Sequence, residues 1–187
     1  FEKGDFKGHN FGNIFLTALE QTTPSYDDVI RMASYILQTR GEVIPVTYDH
    51  VHLCAEYEDG ECIKTEDLID TAFHKKSRIT KAYLEPQASM NRRALHAIQE
   101  ADALIIGPGD VYTSIIPNLL VKGMKKALSS VAIPILYVSN LMTKPGQTTD
   151  YNVSDHIIDL EKYLGRAITH VLIHSREITG SVEVQYE

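Results

Sequence analysis

The chain has 187 residues, of which 43% are apolar and 23% charged, with a formal charge of −7. That length suits one α/β domain with a real core, and two small lobes fit it as well. The acidic balance lacks the basic footprint that nucleic acid demands, no apolar run reaches the length of a membrane span, and no signal peptide is recognisable. The expectation is a cytoplasmic protein with neither nucleic acid nor membrane as partner.

Residues 13–19 read as an apolar helix behind the run Gly8-His9-Asn10-Phe11-Gly12. A longer helix is expected over 26–40, with Ser25 as N-cap, Asp27 and Asp28 in the first turn, and Gly41 as the stop. Its apolar stripe holds Val29, Ile30, Ala33, Ile36 and Leu37. Strands are expected at 43–47, 51–57, 62–65 and 78–84, and Asp59-Gly60 turns a hairpin. Setting Tyr57 opposite Cys62 puts Cys54 opposite Thr65, so the two thiols are offset and expected to be free and reduced. No second pair of soft ligands supports a zinc site. His50, His52 and His74 lack the spacing of a ligand set and read as solvated or edge positions.

A helix over 90–101, capped by Ser89, opens a regular order. Strand 103–106, helix 115–128, strand 134–139, helix 155–164 and strand 170–174 follow, the last helix with Ser154 and Gly165 as caps. Alternation of this kind implies a parallel sheet, here with a small antiparallel hairpin insertion, in a single domain over 1–187.

Ligands of an open parallel sheet bind beyond the carboxyl ends of its strands, so the loops after Ile106, Ser139 and His174 are the candidates. After Ile106 come Gly107-Pro108-Gly109 and then a helix start carrying Thr113 and Ser114. Glycines allow a ligand close to the backbone, and the free N–H groups of a helix start attract anions. Pro108 has no N–H, leaving Gly109, Asp110 and Val111 as donors with the two hydroxyls. Asp110 repels a bare phosphate; it suits a sugar hydroxyl or a metal, or points away. The alternative is a purely structural turn with Ser114 as an N-cap.

The loop 140–154 is long for an αβ connection, and Asn140, Thr143 and Thr148 are placed to reach a ligand unless it is simply a mobile surface loop. Adjacent helix residues do not share a face, so Asp155 and His156 read as a cap and a partly exposed histidine rather than an acid–base pair. Around the first helix, His9, Asn10 and Asn13 either contact an anion or base, or merely cap. A Ser-His-Asp set, a P-loop and G-x-G-x-x-G are all absent from the sequence. A nicotinamide enzyme would rest on fold analogy alone.

Three segments together resemble one family: 8–19, 107–120, and 140–148 leading to Ser154-Asp155-His156. They are similar to the bacterial gluconeogenesis factors, related to 2-phospho-L-lactate transferase in the CofD-like group. The resemblance covers nearly the whole chain. It implies a Rossmann-like α/β fold, with helices on both faces of the sheet, that binds a nucleotide or a UDP-sugar. Gluconeogenesis-type members affect growth on gluconeogenic carbon sources and cell-wall or shape homeostasis. Transferase-type members move a phospholactyl group from a GDP-activated donor to a deazaflavin, with magnesium. The run from Val111 to Leu120 is closer to the first type.

In the picture the resemblance implies, Gly107, Gly109, Thr113 and Ser114 cradle phosphate, while His9, Asn10, Asn13, Asn140 and Thr143 line the same cleft and Asp110 belongs to the same ligand site. A catalytic residue is not implied, and a homo-oligomer is left open. Asp110 stands where many relatives carry Ser, Gln147 where Glu is common, and Asn10 in place of a Ser. The chain opens at Phe1 without the family's first strand, Gly-Gly-Thr-Gly turn and acidic segment. We therefore expect part of a longer protein, with half of the nucleotide site and any magnesium ligands elsewhere.

Overall fold

In the computed structural model, residues 10–175 are described, and they fall into two units divided between Tyr48 and Asp49. In the first unit, α1 (Phe11–Glu20) starts where the Asn10 side chain accepts the Asn13 N–H at 2.8 Å. Phe11 stacks on Phe15 one turn later. The second helix, α2 (Tyr26–Leu37), is capped by Ser25 as expected. It ends before Gly41, because Gln38 adopts the left-handed conformation (φ 50°) and its N–H closes on Ser34 and Tyr35. Residues 43–47, expected as a strand, form none. Pro45 sits in their middle and lacks the N–H that a ladder needs.

The second unit holds two three-stranded sheets. In the antiparallel sheet, β1 (His52–Tyr57) lies between β2 (Cys62–Lys64) and β3 (Ile79–Glu85). Tyr57 N–H donates to the Glu61 carbonyl at 2.9 Å, so the hairpin loop is 58–60, with Gly60 at φ 85°. That loop is one residue shorter than expected. The register shifts accordingly: Cys54 faces Lys64, and Glu56 faces Cys62. Both thiols are free, Cys54 buried and Cys62 exposed. A short helix that the sequence reading lacked, α3 (Glu66–Asp70), follows β2.

Helix α4 (Arg92–Glu100) is capped by Asn91 rather than Ser89, whose N–H donates instead to Asp49. The parallel sheet runs β4 (Leu104–Ile106), β5 (Ile135–Val138), β6 (His170–Leu172), in that order. Between β4 and β5 the expected single helix is three pieces: a π-helical segment (Val111–Ile115), α5 (Ile116–Leu120) and α6 (Met124–Ser129). The break has a long-range cause. Lys122 donates to the Ala88 carbonyl and accepts from Met90 N–H, pairing with the segment before α4 instead of continuing a helix.

Helix α7 (Val153–Leu164) opens with a capping box between Asn152 and Asp155 and closes at Gly165 (φ 72°). Asn152, not Ser154, is therefore its cap. Tyr112, Ile116, Leu128, Ile135, Tyr137, Leu160 and Leu164 are fully buried. Each large aliphatic chain among them contributes about 1.5–3 kcal/mol relative to exposure. No helix among the described residues is long and apolar enough to cross a membrane.

Candidate functional site

Strand β4 delivers the chain to Gly107, which sits at φ 81°. A Cβ there would lie 3.1 Å from the Val138 carbonyl oxygen, so glycine is needed both for conformation and for space. At Gly109 a Cβ would come within 3.3 Å of Ser114 Cβ. The turn is thus tight against the end of β5. It leads into the π-helical segment, where the Asp110 carbonyl accepts both Ser114 N–H (2.8 Å) and Ile115 N–H (3.0 Å). The first N–H groups of such a segment have no intrahelical acceptor and suit an anion.

A cleft of about 460 Å³ lies beyond the ends of β4 and β5, lined by Pro108, Asp110, Ser139, Asn140, Leu141 and Met142 among others. This is where an open parallel sheet binds ligands. The Asn140 amide donates to the Gly109 carbonyl at 2.9 Å, which ties the two loops together. Asn140 and Asp110 therefore line one cleft, and the glycine turn forms part of its wall. Ser114 is exposed, and its carbonyl accepts from Asn118. Thr143 is exposed and is not among the cleft-lining residues. Asn10 caps α1 with the Asn13 N–H as its donor, and His9 lies outside the described residues.

Thr113 is buried and donates to Asp70 at 3.1 Å. Asp70 is one member of a charged cluster that the sequence reading missed. Lys144, only 5% exposed, pairs with both Asp70 and Asp110, the latter at 2.6 Å. Gln147 adds an amide donor to Asp70 at 3.2 Å, while its own carbonyl oxygen is buried and has no partner. Burial pushes the Asp70 carboxyl up, but Lys144, Thr113 and Gln147 outweigh it and hold it below the usual carboxylate range. Lys144 shows the complementary balance: burial disfavours its charge, and Asp110 and Asp70 more than restore it. The cluster pins loop 140–151 to α3 and to the glycine turn, so this is no mobile surface loop. Gly146 seals it further, accepting from Tyr57 Oη at 3.0 Å and lying too close to Ala72 for any Cβ.

A second network secures the far side of the loop. Asp159 accepts from Tyr112 Oη (2.6 Å), Tyr151 Oη (2.5 Å) and Lys162 Nζ (2.5 Å). Burial raises its carboxyl, yet these donors keep it below its ordinary value. Tyr112 is correspondingly pushed well above the usual phenol range, first by burial and then by its bond to Asp159. His156, expected to be partly exposed, is buried, and burial lowers its basicity. The sequence hinted at these residues only weakly, since their partners lie tens of residues away.

A parallel sheet carrying a glycine turn, beside a small antiparallel sheet, places the chain in the α/β class. Comparison with known proteins narrows this: the family described as 2-phospho-L-lactate transferase CofD matches residues 1–187, and the chain belongs to that family. It is 40% identical over 186 residues to the "Putative gluconeogenesis factor" of Thermotoga maritima, covering 100% of this chain and 58% of that protein. It is 37% identical over 177 residues to the "Gluconeogenesis factor" of Listeria monocytogenes, covering 94% of this chain and 54% of that one. A crystal structure of a UPF0052-family protein from Bacillus halodurans superposes with a TM-score of 0.86 at 34% identity, over 96% of this chain and 58% of the other. The chain thus spans somewhat more than half the length of these relatives.

Proposed function

We propose that this protein binds a nucleotide sugar, of the UDP-sugar type, and acts in the cytoplasm as a regulator of central carbon metabolism and of cell-wall and shape homeostasis. The observation that carries this reading is the cleft beyond β4 and β5, where the Gly107 turn meets Asn140 and Asp110. Backbone donors at the turn suit a diphosphate, and Asp110 suits a sugar hydroxyl rather than the phosphates themselves. The relatives named for gluconeogenesis support the regulatory part.

The family description favours a second reading, transfer of a phospholactyl group from a GDP-activated donor to a deazaflavin. There the same donors would stabilise charge on the transferred phosphate. Such transferases use magnesium. Among the described residues no three His, Cys, Asp or Glu side chains form a metal-sized group, and Asp110, the carboxylate at the cleft, shares Lys144 with Asp70.

Isothermal calorimetry on the full-length protein separates these readings. A UDP-sugar is expected to bind with a micromolar constant, about −8 kcal/mol. Gly109→Val is expected to weaken it by about tenfold, because the added carbons meet Ser114. Absence of binding by every uridine and guanosine diphosphate ligand would remove both readings. Phospholactyl transfer to a deazaflavin would establish the second.

A further inference from the structure

Followed from the Gly109 carbonyl, the hydrogen bonds behind the cleft run in one direction through Asn140 and Tyr137 to His156. The Gly109 carbonyl can only accept, so the Asn140 atom 2.9 Å from it is the amide nitrogen. The Asn140 oxygen then faces Tyr137 Oη at 3.2 Å, and Tyr137 must donate to it. A phenol has one proton to give. Tyr137 Oη also lies 3.1 Å from His156 Nδ1, and with its proton already committed it accepts there. His156 therefore carries its proton on Nδ1. If instead Tyr137 donated to Nδ1, two oxygens with facing lone pairs would stand 3.2 Å apart without a proton between them.

Both members of the relay are buried, which keeps water from supplying an alternative partner. Burial also favours the neutral imidazole, against the pull of Asp155 and Asp159 on the same helix. Protonation would add a proton at Nε2 and leave Nδ1–H in place, so the direction of the relay is the same in both charge states. The Tyr151 ring packs edge-on against the imidazole and limits its rotation.

We infer that Tyr137 and His156 are positioning residues that fix the Asn140 amide, so that Asn140 offers the cleft an N–H donor and not a carbonyl. One N–H of the amide is spent on Gly109, and the second is left for the cleft that Asn140 lines. The group read at this point of the ligand is then a hydrogen-bond acceptor, a ring carbonyl or a phosphoryl oxygen. A ligand presenting only a donor there would be rejected. This rests on the reading that the cleft takes a nucleotide, but the relay itself does not.

Two measurements test it on the full-length protein. Nitrogen NMR on histidine-labelled protein at about pH 8, above the ordinary histidine value, is expected to show His156 as the Nδ1–H tautomer. Its signal is identified by its loss in His156→Asn. An Nε2–H tautomer overturns the relay, whether or not any nucleotide binds. The second measurement is calorimetry with uridine diphosphate. His156→Asp, which supplies an acceptor near the Nδ1 position, is expected to weaken binding by about tenfold. His156→Asn restores a donor there and is expected to recover most of the loss. Equal weakening by both variants contradicts the positioning role while nucleotide binding by the wild type stands. Conversely, an Nδ1–H tautomer in a protein that ignores uridine diphosphate upholds the relay and removes the nucleotide reading. If His156→Asp does not fold, the tautomer decides.

Discussion

Gly107→Ala is expected to lower stability by about 1–2 kcal/mol, since a Cβ at positive φ is strained and here also meets the Val138 carbonyl. Urea unfolding followed by circular dichroism measures it; an unchanged midpoint would show that the turn relaxes. Lys144→Met tests the opposite kind of residue, one held by charge rather than by shape. It strands Asp70 and Asp110 beside each other without a cation. The expected loss is about 1–3 kcal/mol, moderated because both carboxylates are partly open to water. The two positions also differ in how visible they are in the sequence. Gly107 belongs to a contiguous strand–turn–helix pattern and could be found by reading along the chain. Lys144 looks like any loop lysine, because its partner Asp70 is 74 residues away.

At the scale of elements, α7 couples acid stability to the loop before it. Asp159 and Asp70 both titrate below their ordinary value when folded. Their contribution is present above the unfolded value near pH 4 and is lost as the pH falls through the folded values. His156 acts in the same direction but in a higher window. Its folded value is depressed, so the unfolded chain binds more protons below about pH 6.5 and stability begins to fall there. Thermal unfolding between neutral and acid pH is expected to show a shallow decline followed by a steep one. Asp159→Asn should flatten the steep part, and a curve identical to wild type would refute the assignment. Element positions were largely legible where a local signal sets them: Ser25 and Gly165 cap where the sequence puts them. The helix over 115–128 was not, because Lys122 leaves it to pair with Ala88 and Met90, and a local periodicity carries no trace of that. The β1–β2 register slipped by one for a similar reason: the choice between a three- and a four-residue loop is made by backbone hydrogen bonds, not by the Asp59-Gly60 signal.

At the scale of the molecule, the parallel sheet followed from strand–helix alternation, whereas the spatial order of its strands and the polar networks that close the second unit did not. Those networks reach β3: Tyr163 of α7 accepts from Ala82, and Tyr112, which donates to Asp159, also lies 3.3 Å from the Ile79 carbonyl of the same strand. Leu160, fully buried on α7, should accordingly be felt throughout the unit, and Leu160→Ala is expected to cost about 2–5 kcal/mol. Hydrogen exchange reads this as loss of protection in both sheets together; loss confined to α7 would show that the unit unfolds in parts. The loop 140–151 divides in two within this frame. Its later part, Lys144 to Thr148, is locked by buried side chains, while Leu141 and Met142, exposed at 66% and 42%, line the cleft without holding anything else in place. If the cleft takes a ligand as proposed, stability and ligand preference are set in separate stretches of one loop. A library randomised at 141 and 142 alone should retain folded members at high frequency while shifting which ligand they accept, making this short stretch the natural place for the site to diversify.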